Sequence, residues 1–220
     1  AAVALRLLAC SERRNRPTQY RLGALGAPMV NNAAVAAMVE HHTLLYADLA
    51  DPVAMLRAAP GQGALARYWA YARNPQPQAL AGGEVAAYST LMAASQPLVA
   101  GQILDAYPLQ RHQRLLDVGG GEGVFAAAAA QRWPHLQVTV FDLPEVARRA
   151  QGRLAALGLA GRGSAVGGDF CNDALPAGAD VISLVRVVHD HDDDRVLALL
   201  RNVRRALPPH GVLLLAEPMA

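Results

Sequence analysis

His189 stands in the run Val187-Val188-His189-Asp190-His191-Asp192-Asp193-Asp194, just after an apolar segment that reads as a strand. Glu217 follows the next such segment, Gly211 to Ala216. Histidine is the side chain best poised to take a proton from a hydroxyl near neutral pH. A carboxylate beside it fixes the tautomer and stabilises the imidazolium that forms. If the two strands are neighbours in a parallel sheet, His189 and Glu217 form a base and its orienting partner, with Asp190 lining the substrate side. Plainer readings compete with this one. His189 could be a satisfied core histidine. The acids Asp192 to Asp194 read best as the cap and first turn of the following helix, where anions meet the positive end of the dipole. His189 and His191 are two apart, which on a helix points them to different faces, so no metal is expected.

A second group has the residues to hold a nucleotide-like ligand. Arg114 to Val118 reads as a strand that delivers Asp117 and the glycines Gly119, Gly120 and Gly121 to its carboxyl end. In open α/β sheets, ligands sit beyond those ends. Asp142 ends the next strand, twenty-five residues after Asp117, with Leu143 following. A carboxylate there can accept hydrogen bonds from ribose hydroxyls. That layout serves NAD as well as S-adenosyl-L-methionine. A dinucleotide fingerprint is G-x-G-x-x-G, whereas this turn reads D-x-G-x-G-x-G with Glu122 inside it. An acidic turn repels a pyrophosphate and tolerates a cationic sulfonium, which favours S-adenosyl-L-methionine. A third strand end carries Gly167-Gly168-Asp169-Phe170. Asp169 is placed to accept from an adenine amino group, and Phe170 to cover the ring face. The plainer readings are a tight strand-to-helix turn and an ordinary loop acid.

The elements that must position these residues alternate from about residue 112. Strands are expected at 114–118, 137–141, 164–166, 180–185 and 211–216. Helices follow the glycine turn to Trp133, run from Pro144 to a left-handed cap at Gly158, and span Asp193 to Leu207. The last has Val196, Leu199, Leu200, Val203 and Leu207 on one face. Repeated β-α-β units imply a parallel sheet with right-handed crossovers and strands buried on both faces, as Val-Ile-Ser-Leu-Val suggests. The first hundred residues read mostly as helix. Thr18 to Leu22 is a short strand, Ala33 to Ala47 a helix capped by Asn31 or Asn32, Asp51-Pro52 the start of another, and Gly83 to Tyr107 a long helix kinked at Pro97.

Composition sets the bounds. The chain has 220 residues, 53% of them hydrophobic and 17% charged, with a formal charge of +2. That describes a globular protein. Every basic residue is arginine, which reads as a compositional bias, and no basic cluster interleaved with aromatics marks a nucleic-acid surface. Two distant cysteines, Cys10 and Cys171, announce no disulfide framework, so a cytoplasmic location is expected. The apolar opening that ends at Cys10 has no basic leader and is not read as a secretory signal.

Taken together, these motifs resemble the caffeate-type S-adenosylmethionine-dependent O-methyltransferase family. Asp117-Val118-Gly119-Gly120-Gly121, Phe141-Asp142-Leu143-Pro144, Gly167-Gly168-Asp169, His189-Asp190 and Glu217-Pro218 follow its order and spacing. Met38 to His42, Tyr46 to Leu49 and Ser183 to Val187 look like its bacterial hydroxyneurosporene (demethylspheroidene-type) subgroup of carotenoid synthesis. The resemblance implies a Rossmann-like class I methyltransferase sheet preceded by a mostly helical region with a partial winged helix. The implied divisions are 1–30 for dimerisation, 31–110 as linker and substrate lining, and 111–220 for the cofactor. It implies that Gly119, Asp142 and Asp169 bind the cofactor, that His189 is the base with Glu217 as its orienter, and that Tyr88 and Met92 line the transfer site. Gln19 to Leu22 with Gly26 looks like a wing, and a homodimer is implied. Two departures stand out. His191 replaces the usual Trp, and Val185 replaces a Lys, with Arg186 beside it as the cofactor-side candidate. The family sheet has seven strands and this chain stops after the fifth, so a fragment with an exposed sheet edge is expected.

In this reading the substrate is a small hydrophobic molecule, a 1-hydroxy carotenoid, held in an apolar pocket with Leu91, Leu98 and Val99 as further candidates. Association with the periphery of the inner membrane is compatible with such a substrate. The alternatives are a phenolic or polyketide substrate, a nucleotide-binding oxidoreductase, and a winged-helix regulator that kept the fold without activity.

Overall fold

The computed structural model describes residues 1–11, 17–59, 62–68, 93 and 96–217. Two antiparallel strands open it, β1 (Leu8–Ser11) and β2 (Gln19–Leu22), registered Leu8 to Leu22 and Ser11 to Gln19. The second was expected from its sequence; the first was not, because its short apolar run carries no alternation. Helix α1 (Ala33–Asp48) starts at Asn32, whose side chain accepts from the Val35 amide at 3.2 Å. Asn31 has a positive φ and is not the cap. Helix α2 (Pro52–Arg57) is capped by Asp51, which accepts from Ala54 N at 2.9 Å. Asp48 then receives the amides of Ala64 and Leu65 and so caps α3 (Ala64–Tyr68) from a distance. Those amides draw the Asp48 carboxyl below its usual range.

Helix α4, residues 96–106, is the described end of the long helix expected there; the rest of that expectation lies outside the described residues. Ala100 and Leu104 enter the core from it. The parallel sheet follows: β3 (Arg114–Val118), α5 (Val124–Arg132), β4 (Gln137–Asp142), α6 (Pro144–Ala156), β5 (Gly163–Gly167), β6 (Val181–Val185), α7 (Asp193–Ala206) and β7 (Val212–Ala216). Expected and observed strands differ by a residue or two at their ends. The order is β5-β4-β3-β6-β7, all parallel. The chain builds outward from β3 to one edge, then returns to start β6 on its other side. The crevice at that reversal, beyond the carboxyl ends of β3 and β6, is where ligands bind in such sheets.

Neighbouring residues of β3 serve opposite faces, as the two-residue strand period requires. Leu115 joins Phe125, Val138, Val140 and Leu154 on one side, under α5 and α6. Leu116 and Val118 join Phe141, Ile182, Leu184, Leu199 and Val203 on the other, under α7. Burying a side chain of this size stabilises by about 1.5–3 kcal/mol each. Strand β7 is an edge, only partly covered, with Leu215 51% exposed. Among the described residues, no helix is long and apolar enough to cross a membrane.

Candidate functional site

Five strand ends meet at the crevice, and the glycine turn is shaped by what lies beside it. Gly119 has a φ of +67°, and a Cβ there would stand 2.8 Å from a methyl of Val187, which enters from the end of β6. A Cβ on Gly120 would stand 2.5 Å from Asp117 Oδ2. The backbone therefore lies against the end of β6 and against the Asp117 carboxylate of its own strand, which only glycine allows. Beneath it, Asp117 is 1% exposed. Its Oδ1 accepts from the Ser183 hydroxyl at 2.6 Å, and its Oδ2 is buried with no hydrogen-bond partner. Burial pushes the Asp117 carboxyl up to about 7; the Ser183 hydroxyl opposes that, and the neighbouring Asp142 carboxylate adds to it.

Asp142 closes the turn. Its Oδ2 accepts from Gly121 N at 2.8 Å and its Oδ1 from Leu143 N at 2.7 Å. Burial raises its carboxyl to about 6, against the pull of those two amides. Leu143 thus acts through its amide, as the residue that aims Asp142.

Glu122 corrects part of the expectation. Its carboxylate faces Arg149 Nη1 at 3.6 Å and Arg153 Nη1 at 3.8 Å, both on α6. Its charge is thus spent against that helix. The negative pole of the turn is Asp117 with Asp142, and the preference for a cation rests on them.

At the third strand end, Asp169 is buried and occupied within its own loop. It accepts from Cys171 N at 2.9 Å and from Asn172 Nδ2 at 2.8 Å, while its own amide donates to Asp173 Oδ2. Asn202 on α7 donates to the carbonyls of Phe170 and Asp173. This loop presents Phe170, whose ring meets His191 edge-on with centroids 5.3 Å apart. Burial, then Arg195, lowers the His191 pKa, which keeps that ring neutral.

The fourth and fifth strand ends bring His189 and Glu217 together. Glu217 Oε1 accepts from Val187 N at 2.9 Å and Val188 N at 2.8 Å. That anchoring leaves Oε2 for His189 Nδ1, 2.6 Å away. The Glu217 side chain is 8% exposed and that of His189 is 32%. With a carboxylate on Nδ1, the imidazole carries its proton there and offers Nε2 as the base. Asp190 Oδ1 lies 3.3 Å from Nε2. The expected substrate-lining residue is therefore also a second carboxylate beside the base.

Arg186, the cofactor-side candidate, follows β6 directly. It has a φ of 58°, and its guanidinium reaches Gln96 Oε1 on α4 at 3.4 Å. The contact described for it ties the end of β6 to the helical region. The acidic run divides as expected: Asp192 caps α7 by accepting from Arg195 N at 3.0 Å, and Asp193 and Asp194 occupy its first turn. Tyr88, Leu91 and Met92 lie outside the described residues. Leu98 is 56% exposed, and Val99 packs against the core. Ser183 and Asn202 were not anticipated. Each carried a signal, being a polar residue inside an apolar strand or beside an apolar helix stripe, where it must find a partner.

The donor set fits a cationic nucleoside: carboxylates at two adjacent strand ends, Asp117 buried and Asp142 half-buried, an orphaned carboxylate oxygen under the turn, and an aromatic ring at the third. Comparison with known proteins points the same way. A family model described as an O-methyltransferase domain matches residues 46–220. The chain is 47% identical over 212 residues to the demethylspheroidene O-methyltransferase of Cereibacter sphaeroides, covering 94% of this chain and 54% of that protein. It is 42% identical over 220 residues to the enzyme of the same name from Rhodobacter capsulatus, 100% of this chain and 53% of that protein. The chain thus spans about half the length of these relatives. Among solved structures, it is similar to an O-methyltransferase from neocarzinostatin biosynthesis in complex with S-adenosyl-L-homocysteine and 1,4-dihydroxy-2-naphthoic acid. The TM-score is 0.66 at 29% identity, covering 97% of this chain and 64% of that one.

Proposed function

The chain belongs to the O-methyltransferase domain family, and from that premise we propose that it moves a methyl group from S-adenosyl-L-methionine to the hydroxyl of a small hydrophobic substrate. The observation that carries this is the His189–Glu217 pair, with Glu217 locked by two backbone amides and Nε2 of His189 left as the base.

When bound, S-adenosyl-L-methionine supplies an electrophilic methyl group on a positively charged sulfur. Asp142 would hold the ribose with the lone pairs its two amide donors leave free. The Gly119–Gly121 turn would lie against the methionine end above Asp117. The loop closed by Asp169 would present Phe170 to the adenine. His189 Nε2 takes the hydroxyl proton, and the imidazolium then stands between Glu217 and Asp190. Base catalysis of this kind contributes about 10²–10⁴-fold; alignment of the reacting atoms supplies more.

The substrate we favour is a 1-hydroxy carotenoid of the hydroxyneurosporene or demethylspheroidene type. The likeness to enzymes of that name runs along 94–100% of this chain at 42–47% identity. A phenolic substrate is the second reading, favoured by the naphthoic acid bound in the similar solved structure. The protein would work as a homodimer in the cytoplasm, with 1–30 contributing to the dimer, 31–110 lining the substrate and 111–220 holding the cofactor. Exposed Tyr20, Leu22, Leu25, Tyr46 and Leu56 support a covered amino-terminal face. A membrane-dissolved substrate would draw the enzyme to the inner-membrane surface.

The test is calorimetric titration of S-adenosyl-L-methionine and NAD into the full-length protein, with Asp142→Ala as control, followed by transfer assays on hydroxylated carotenoids and phenols. Saturable binding of the first cofactor alone, weakened at least tenfold in the variant, is expected. Binding of NAD instead would overturn the reading.

A further inference from the structure

Ser183 is the one polar residue of β6. Val181, Ile182 and Leu184 are fully buried apolar neighbours, and Ser183 itself is 0% exposed. A hydroxyl in such a place costs stability unless it is hydrogen-bonded. Its register answers that need. Ser183 sits opposite Asp117 in the parallel pairing of β3 with β6, and its Oγ donates to Asp117 Oδ1 at 2.6 Å. Asp117 Oδ2 is left buried without a partner, directly below Gly120.

The groups facing Asp117 come from three other elements. Ser183 comes from β6, the Asp142 carboxylate from β4, and the Ala126 amide from α5. None of these is basic. Ser183, ahead of the Ala126 amide, favours a charged Asp117, while burial and Asp142 oppose that charge.

We propose that Ser183 is a positioning residue for the cofactor pole: its hydroxyl takes one oxygen of Asp117, leaves the other as the negative charge under the glycine turn, and so sets the preference for a cationic sulfonium over its uncharged thioether product. This rests on the cofactor reading above. It adds that discrimination between S-adenosyl-L-methionine and S-adenosyl-L-homocysteine is set partly from β6, by a residue that touches neither.

A matched pair of variants tests it. Ser183→Thr keeps a hydroxyl and Ser183→Val replaces it with a methyl group of similar shape, and both residues suit a strand. The measurement is the Kd of each nucleoside for full-length wild type and both variants between pH 5.5 and 8.5. Ser183→Val is expected to bind S-adenosyl-L-methionine about tenfold more weakly at neutral pH and S-adenosyl-L-homocysteine less affected. The pH midpoint of binding should rise by about one unit, with Ser183→Thr near wild type. In Ser183→Ala, the smallest change, the carboxyl-carbon resonance of Asp117 should titrate at higher pH than in wild type. An unchanged midpoint and an unchanged ratio of the two Kd values in Ser183→Val overturn the proposal, as does an unchanged Asp117 titration in Ser183→Ala. Wild type that binds neither nucleoside overturns the cofactor reading itself.

Discussion

The amino-terminal residues up to 68 and the sheet region from 96 onward are built on opposite terms. Of the buried apolar side chains among the described residues, only Ala34 precedes residue 96; all the others, from Ala100 to Val203, belong to α4 and the sheet region. The first region has sound local chemistry, with Asn32, Asp51 and Asp48 satisfying helix amides. Yet it leaves Tyr20, Tyr46 and Leu56 at 63%, 69% and 81% exposure. Caps contribute about 1 kcal/mol each and cannot replace a core. The sheet region buries both faces of β3 and β6 and can therefore afford unfavourable groups at its strand ends, including two buried carboxylates. Among the described residues, stability and chemistry are concentrated in the sheet region, and the amino-terminal region leaves large apolar side chains exposed.

The largest effect is expected at His189: His189→Gln should lower the transfer rate about 10²–10⁴-fold and leave cofactor Kd unchanged, read by steady-state kinetics beside calorimetry. A parallel loss of cofactor affinity would mean that the pair with Glu217 shapes the pocket and does not act as the base. Next comes the core, where Phe125→Ala should cost about 3–5 kcal/mol in denaturant unfolding, because it empties the space beneath α5.

A smaller effect tests the strain at the site. Asp117 and Asp142 have folded pKa values raised to about 7 and 6 from near 3.8. Between the unfolded and folded values, the folded chain holds protons that the unfolded chain has released. Their contribution to stability is therefore full below about pH 4 and is lost as pH rises through 6 and 7. Asp117→Asn should remove much of that slope and stabilise the ligand-free protein at pH 8 by about 1–2 kcal/mol, while weakening S-adenosyl-L-methionine. A slope identical to wild type in the variant would place the titration elsewhere. The smallest effect belongs to the amino-terminal region: Leu56→Ala should change monomer stability by less than about 0.5 kcal/mol. A cost of several kcal/mol would show that residues 1–68 have a core of their own or that Leu56 is covered in the assembled protein.

Much of this was legible in the chain. The alternation of β and α segments from Arg114 onward, the glycine turn after Asp117, and the acids or histidine at successive strand ends all follow from local patterns. Period-two and period-3.6 repeats and strong turn residues are properties of a few adjacent side chains. The short β1 was missed because four residues without alternation look like any apolar stretch. The role of Glu122 was misplaced because its two arginine partners lie on α6, beyond helix α5 and strand β4 in sequence.

The sequence by itself therefore determined which elements form, in what order, and which residues stand at the sheet's carboxyl edge. Only the tertiary structure decided what those residues do to one another. Ser183 and Asp117 are 66 residues apart, and His189 and Glu217 are 28 apart. Each pair meets because strand register places it so, and register is set by packing both sheet faces at once. Likewise, whether Asp117 is an ordinary acid or a buried, half-satisfied one depends on how much water the surrounding strands exclude, which no local stretch of residues encodes.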